Sequence, residues 1–116
     1  MLPEKNRIRK DADFGAICRY GRLFSGGGLI LRVKENKLGL VRCGVSVGLK
    51  FSPKAVVRNR IKRQIRAFFQ QNLSEIESGQ DLLVIVGKNW KEKEKVSPEQ
   101  EIRQILIKNS LIKAKK

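Results

Sequence analysis

The stretch RNRIKRQIR, residues 58 to 66, places five cations and one asparagine in nine positions. It sits in a longer span, between Pro53 and Gly79, that contains neither proline nor glycine. Ser52 and Pro53 read as a helix start: a hydroxyl that can cap free backbone N–H groups, then a residue whose missing N–H is no loss there. The helix should run to about Leu73. At 3.6 residues per turn, Val57, Ile61, Ile65 and Phe68 gather into one apolar stripe, with Phe69 at its margin. Such a stripe must be buried, so the rest of the chain has to supply an apolar surface beneath it. Charge takes most of the remaining circumference. Arg58, Lys62 and Arg66 repeat at i+4, Asn59 and Arg63 lie beyond them, Arg60 returns on the other flank, and Lys54 stands near the entrance.

The surface beneath should be a sheet. LILRV, residues 29 to 33, reads as a strand, KENK as a hairpin turn, and LGLVRCGVSV as a longer partner in which Val41, Cys43, Val45 and Val47 alternate with Arg42, Gly44 and Ser46. DLLVIV, residues 81 to 86, has the continuous apolar character of a buried strand. A short helix with Phe14, Ile17 and Cys18 at i, i+3 and i+4 precedes the sheet, with Asp11 as its cap and Gly21 as its stop. The glycines at 26 to 28 read as a flexible link. Ser97, Pro98 and Gln100 open a last helix with capping-box spacing, and Ile102, Ile105, Leu106 and Ile112 form its stripe. The expected fold is α+β, one domain over residues 1–116, with helices packed on one face of the sheet. Residues 88–100 mix signs and read as an exposed loop that Trp90 anchors to the body.

Charge limits the partners. The 116 residues carry 26 Lys and Arg against 11 Asp and Glu, a formal net charge of +15, and no acid lies between Glu35 and Glu75. Like charges at i+4 repel by roughly 0.2 to 0.5 kcal/mol a pair, and an idle solvated helix would interleave signs. A polyanion is the natural relief, and four of the six helix cations from Lys54 on are Arg, which can grip a phosphate with two parallel N–H bonds. The same helix could enter a DNA groove, but no second helix at helix-turn-helix spacing precedes it, so DNA is not expected. It could lie on a membrane, but its apolar arc is needed for the core. No run reaches the roughly 18 apolar residues of a membrane span, and the expected location is cytoplasmic.

Catalytic chemistry is not evident. There is no His, the acids form no nucleophile, acid and base set, and no metal cluster stands out. Cys18 and Cys43 match no metal-ligand spacing and read as small buried hydrophobes.

NRIRKDADFGAI, LVRCGVSVGLK and RNRIKRQIR, in this order and spacing, resemble the protein subunit of bacterial ribonuclease P over roughly residues 2 to 87. The resemblance implies a two-layer sandwich of a mixed sheet with helices, containing a left-handed βαβ crossover, as in a domain of a small-subunit ribosomal protein. Right-handed crossovers are otherwise the strong rule. It also implies a function: a small basic protein that binds the catalytic RNA and the 5′ leader of precursor tRNA, while the chemistry, with Mg²⁺, belongs to the RNA subunit. No cofactor is then expected to be bound by the protein alone. The alternative is a non-catalytic RNA-binding or ribosome-assembly protein of the same fold.

Carried over position by position, Arg58, Asn59, Arg60, Lys62, Arg63 and Arg66 match the helix that contacts the catalytic RNA. Lys50 matches the second of two lysines before that helix, and Lys54 adds to the same charge. Phe14 matches an aromatic in the cleft that receives the single-stranded leader. Three positions depart from the pattern: Cys18 where a second aromatic is frequent, Arg32 where the first strand often has an aromatic, and Leu49 in place of the first lysine. Arg32 could keep a leader role by stacking its guanidinium plane on a base.

Overall fold

The computed structural model describes residues 3–88, 90 and 97–112. In chain order the elements are α1 (Asp11–Tyr20), β1 (Arg22–Gly26), β2 (Leu29–Glu35), β3 (Arg42–Val47), α2 (Ala55–Asn72), β4 (Gln80–Val86) and α3 (Pro98–Lys108). The four strands form one sheet in the order β1-β2-β4-β3. β1 and β4 each run antiparallel to β2, and β3 runs parallel to β4. The parallel pair is joined through α2, so the basic helix is the crossover of a βαβ unit.

β4 is the centre of the fold because it is apolar on both faces. Leu82, Val84 and Val86 point to one side, where Ile61, Ile65 and Phe69 of α2 and Ile102 and Leu106 of α3 complete the main core. Leu83 and Ile85 point to the other side, against Ile8, Ile17 and Phe14. The expected packing on one face therefore holds for α2 and α3, while α1 lies across the opposite face. A strand buried on both faces draws a partner to each edge. That is why β2 and the following strand are not a hairpin: β4 comes between them, and residues 34–37 run through the end of β2 into a loop instead of a tight turn.

The real hairpin lies earlier. Gly26 pairs with Leu29, leaving Gly27 and Gly28 as a two-residue turn with φ of 58° and 90°. Positive φ at both positions suits the right-handed twist of a hairpin and favours glycine. The glycines expected to be a flexible link are thus a defined turn, and β1 is an edge strand that the sequence reading lacks.

Helix boundaries shift for local reasons. Lys10, not Asp11, is the cap position of α1, and Asp11 and Asp13 occupy its first turn, where acids suit the helix dipole. α2 starts at Ala55 with Lys54 at the cap, because the Ser52 hydroxyl accepts from the Lys54 N–H at 3.2 Å and closes a turn before the helix. α3 has the full capping box of Ser97 and Gln100, so residues 98–100 of the expected loop are helical. Ser110, with φ of 59°, follows the end of α3, and Ile112 leaves the helix to bridge Ile76. Trp90 is buried in the main core, and residues 89 and 91–96 of the expected loop lie outside the described residues.

Candidate nucleic-acid interface

α2 turns its stripe inward as its periodicity requires. Ile61, Ile65, Phe68 and Phe69 are buried, and Phe69 is fully enclosed rather than marginal. Asn59, Lys62, Arg63 and Arg66 consequently share the outer face, where with Val56 they line a shallow groove of about 430 Å³. Val56 is 77% exposed, so the lining of this groove includes an apolar side chain open to solvent. Arg60 is also exposed. Arg58 is less available: its guanidinium bends back and donates to the Ser52 carbonyl at 2.9 Å, bracing the loop before the helix. No acid occupies the first turn of α2, so the positive end of its dipole adds to Lys54.

One cation belongs elsewhere. Arg42 donates through Nε and Nη2 to both oxygens of Asp81, at 2.8 and 2.6 Å, and through Nη1 to Asp13 at 3.4 Å. Asp81 is 3% exposed and also accepts from Asn36 Nδ2 at 2.8 Å. The Asp81 carboxylate raises the Arg42 pKa further, against the opposing effect of burial. Arg42 is therefore a neutralised structural group and leaves the count of charge available to RNA.

The opposite face of the sheet carries the other candidates. Phe14 is half-buried on α1, with its ring against Gly44, and a Cβ at residue 44 would lie 2.9 Å from Phe14 Cε1. One turn later Cys18 is exposed, which corrects its assignment to the core; Cys43 is buried as expected. Arg32 extends from β2 on this same face and donates Nη1 to the Cys18 carbonyl at 3.1 Å. Beyond α1 the face stays open as a cleft of about 870 Å³, whose lining includes Ile30, Ser46, Lys50, Ile85 and Lys88. Lys50 is exposed at its rim beside Leu49, which is 70% exposed.

Lys88 enters the sequence reading only as the start of the exposed loop, although a cation one glycine past an apolar strand is a signal that it stands at a sheet end. The two groups of candidates thus lie on different sides of the sheet, and the loop carrying Lys50 and Lys54 runs between them. Among the described residues no cluster of three or more His, Cys, Asp or Glu could hold a metal ion. No described helix is long and apolar enough to cross a membrane.

A mixed four-stranded sheet, crossed by a helix whose outer face is cationic and backed by an open cleft, defines a small α+β domain built to meet a polyanion. The family model for ribonuclease P matches residues 2–110, and the chain belongs to the ribonuclease P protein family. It is 38% identical over 109 residues to the ribonuclease P protein component of Clostridium kluyveri, covering 92% of this chain and 96% of that one. It is 39% identical over 87 residues to the corresponding protein of a Pseudanabaena species, covering 74% and 75%. Among solved structures, the RNase P protein of Staphylococcus aureus superposes with a TM-score of 0.82 at 30% identity, covering 92% of this chain and 97% of that one. The RNase P protein of Thermotoga maritima superposes with a TM-score of 0.73 at 30% identity, covering 90% and 94%. The mixed sheet with three helices is the fold shared with these proteins.

Proposed function

We propose that this chain is the protein component of a bacterial-type ribonuclease P, acting in the cytoplasm with a catalytic RNA to remove the 5′ leader of precursor tRNA. The observation that carries this is the outer face of α2, where Lys62, Arg63 and Arg66 surround Asn59 with no acid on the helix. These side chains, with Arg58, Arg60, Lys50 and Lys54, would neutralise phosphates of the catalytic RNA, and release of counterions would drive association. Phe14, with Cys18 and Arg32 beside it, would meet the single-stranded leader on the other face of the sheet. A mature tRNA lacks that segment, so the protein would favour substrate over product.

Bond cleavage is assigned to the RNA subunit, where bound Mg²⁺ would polarise the scissile phosphate and lower the pKa of the attacking water. This chain would position the two RNA strands and reduce the repulsion between them. The test is single-turnover cleavage of a leadered precursor tRNA by ribonuclease P RNA at limiting Mg²⁺, with and without the protein. Restored cleavage at the mature 5′ end supports the assignment. Tight RNA binding without stimulation, with an RNA subunit from the same source, would replace it by the assembly-protein reading.

A further inference from the structure

α1 has little apolar hold on the sheet. The cluster beneath it contains three buried residues, Ile8, Ile17 and Leu83, with Phe14 and Ile85 partly buried at its edge. Two arginines projecting from that sheet face contact the helix near its two ends. Arg42, locked by Asp81, presents its remaining Nη1 to Asp13 in the first turn of α1. Arg32 presents Nη1 to the carbonyl of Cys18, in the last turn. That carbonyl is one of the orphan acceptors of a helix C-terminus: the Gly21 N–H bonds to Ile17, and the chain then leaves as β1. The helix dipole favours Asp13 at its positive N-terminal end and Arg32 at its negative C-terminal end, so Arg42 is held there by the acid alone.

We propose that Arg32 and Arg42 are positioning residues that dock α1 on the sheet and thereby set where the Phe14 ring stands over Gly44 on the leader-facing side of the sheet. This rests on the function proposed above. The guanidinium of Arg32, at a position where an aromatic is frequent, is committed to the Cys18 carbonyl and leaves stacking on the leader to Phe14. Leader selectivity then depends on Arg32 and Asp13 through the placement of Phe14.

The experiment uses Arg32→Leu, Arg32→Lys and Asp13→Asn, the last chosen because it spares the buried Arg42–Asp81 pair. Amide hydrogen exchange on the free protein is read for α1 and α2 separately. Affinity for leadered and mature tRNA is read on the holoenzyme. Loss of one charge-assisted hydrogen bond should speed α1 exchange by about tenfold and cut the preference for leadered RNA by about the same factor, with α2 exchange unchanged. Arg32→Lys should recover part of both, since its ammonium can still donate to a carbonyl. Reduced preference with unchanged α1 exchange would overturn the proposal and make Arg32 a leader contact. Faster exchange in α1 and α2 together would overturn it as a general loss of stability. No change in either would overturn it outright. If the wild-type holoenzyme shows no preference for leadered RNA, the functional reading fails, while α1 exchange still decides whether the arginines dock the helix.

Discussion

Gly44 and Phe14 are in edge contact across the interface of β3 and α1, at a distance that leaves no room for a side chain at residue 44. A Cβ there would lie 2.9 Å from Phe14 Cε1 and 3.4 Å from Leu83 Cδ1. The sheet face is thus recessed under the aromatic ring. Gly44→Val should push the ring outward, at the roughly 1 to 3 kcal/mol typical of overpacking. The expected result is weaker binding of leadered tRNA with affinity for the RNA subunit retained, measured by titration of both RNAs.

Phe14→Ala tests the same surface from the other side. It should lower affinity for leadered precursor and leave leaderless RNA nearly unaffected. Arg60→Ala and Arg63→Ala should do the reverse and weaken the RNA subunit complex. Equal effects of Phe14→Ala on leadered and leaderless RNA would count against this division of labour.

The charge on α2 should be visible as salt dependence. If roughly six phosphates are neutralised, log affinity should fall against log salt with a slope of about −4 to −5. Arg63→Ala or Arg66→Ala should each flatten that slope by about 1. The free protein should lose no stability and could gain roughly 0.2 to 0.5 kcal/mol from relief of like-charge repulsion, as read by thermal melting. A slope near zero would remove the electrostatic mechanism.

Asp81 holds the polar end of the sheet together. It is buried, and accepts from both Arg42 and Asn36. Asp81→Ala leaves both donors without their acceptor and an arginine uncompensated, so destabilisation of about 3 to 5 kcal/mol is expected in chemical denaturation. Removing one partner is the severe change; the intact pair need not itself be strongly stabilising.

The two thiols should separate cleanly. Cys18 is exposed and Cys43 buried, and burial, with the Asp81 charge, pushes the Cys43 thiol well above its usual 9.0. A thiol reagent should modify one site in the native protein and a second only on unfolding. The folded state holds the Cys43 proton where the unfolded state releases it. That contribution to stability is therefore full below pH 9 and falls as pH rises further. Cys43→Val should flatten the decline.

Much of this was legible in the chain because it is written locally. The stripe of α2, the apolar run of β4 and the capping box of α3 each lie within a few residues of one another, and each formed as its spacing predicts. Strand order is a different kind of information. Alternation says which face a residue takes but not which strand lies beside it, so the adjacency of β2 and β3 was misjudged. β1 was hidden because Phe24 is its one residue packed against the main core, the rest being polar, small or exposed. The pairing of Arg42 is invisible in the sequence because its acceptor, Asp81, is 39 residues away. Cys18 looked like core because it shares a helical face with Phe14 and Ile17, and only the small extent of the cluster below leaves it outside.

The position of β4 between β2 and β3 bears on how the chain is made. Residues emerge from the ribosome in order, so β2, β3 and the whole of α2 are synthesised before the strand that joins them. Until residues 80–86 arrive, two strands wait with unsatisfied inner edges, and a highly cationic helix lacks the β4 surface beneath its apolar stripe. A nascent chain in that state is both sticky and strongly attracted to the nucleic acid around it. Completion of the sheet is thus the event that turns this helix from an indiscriminate adhesive into an oriented surface.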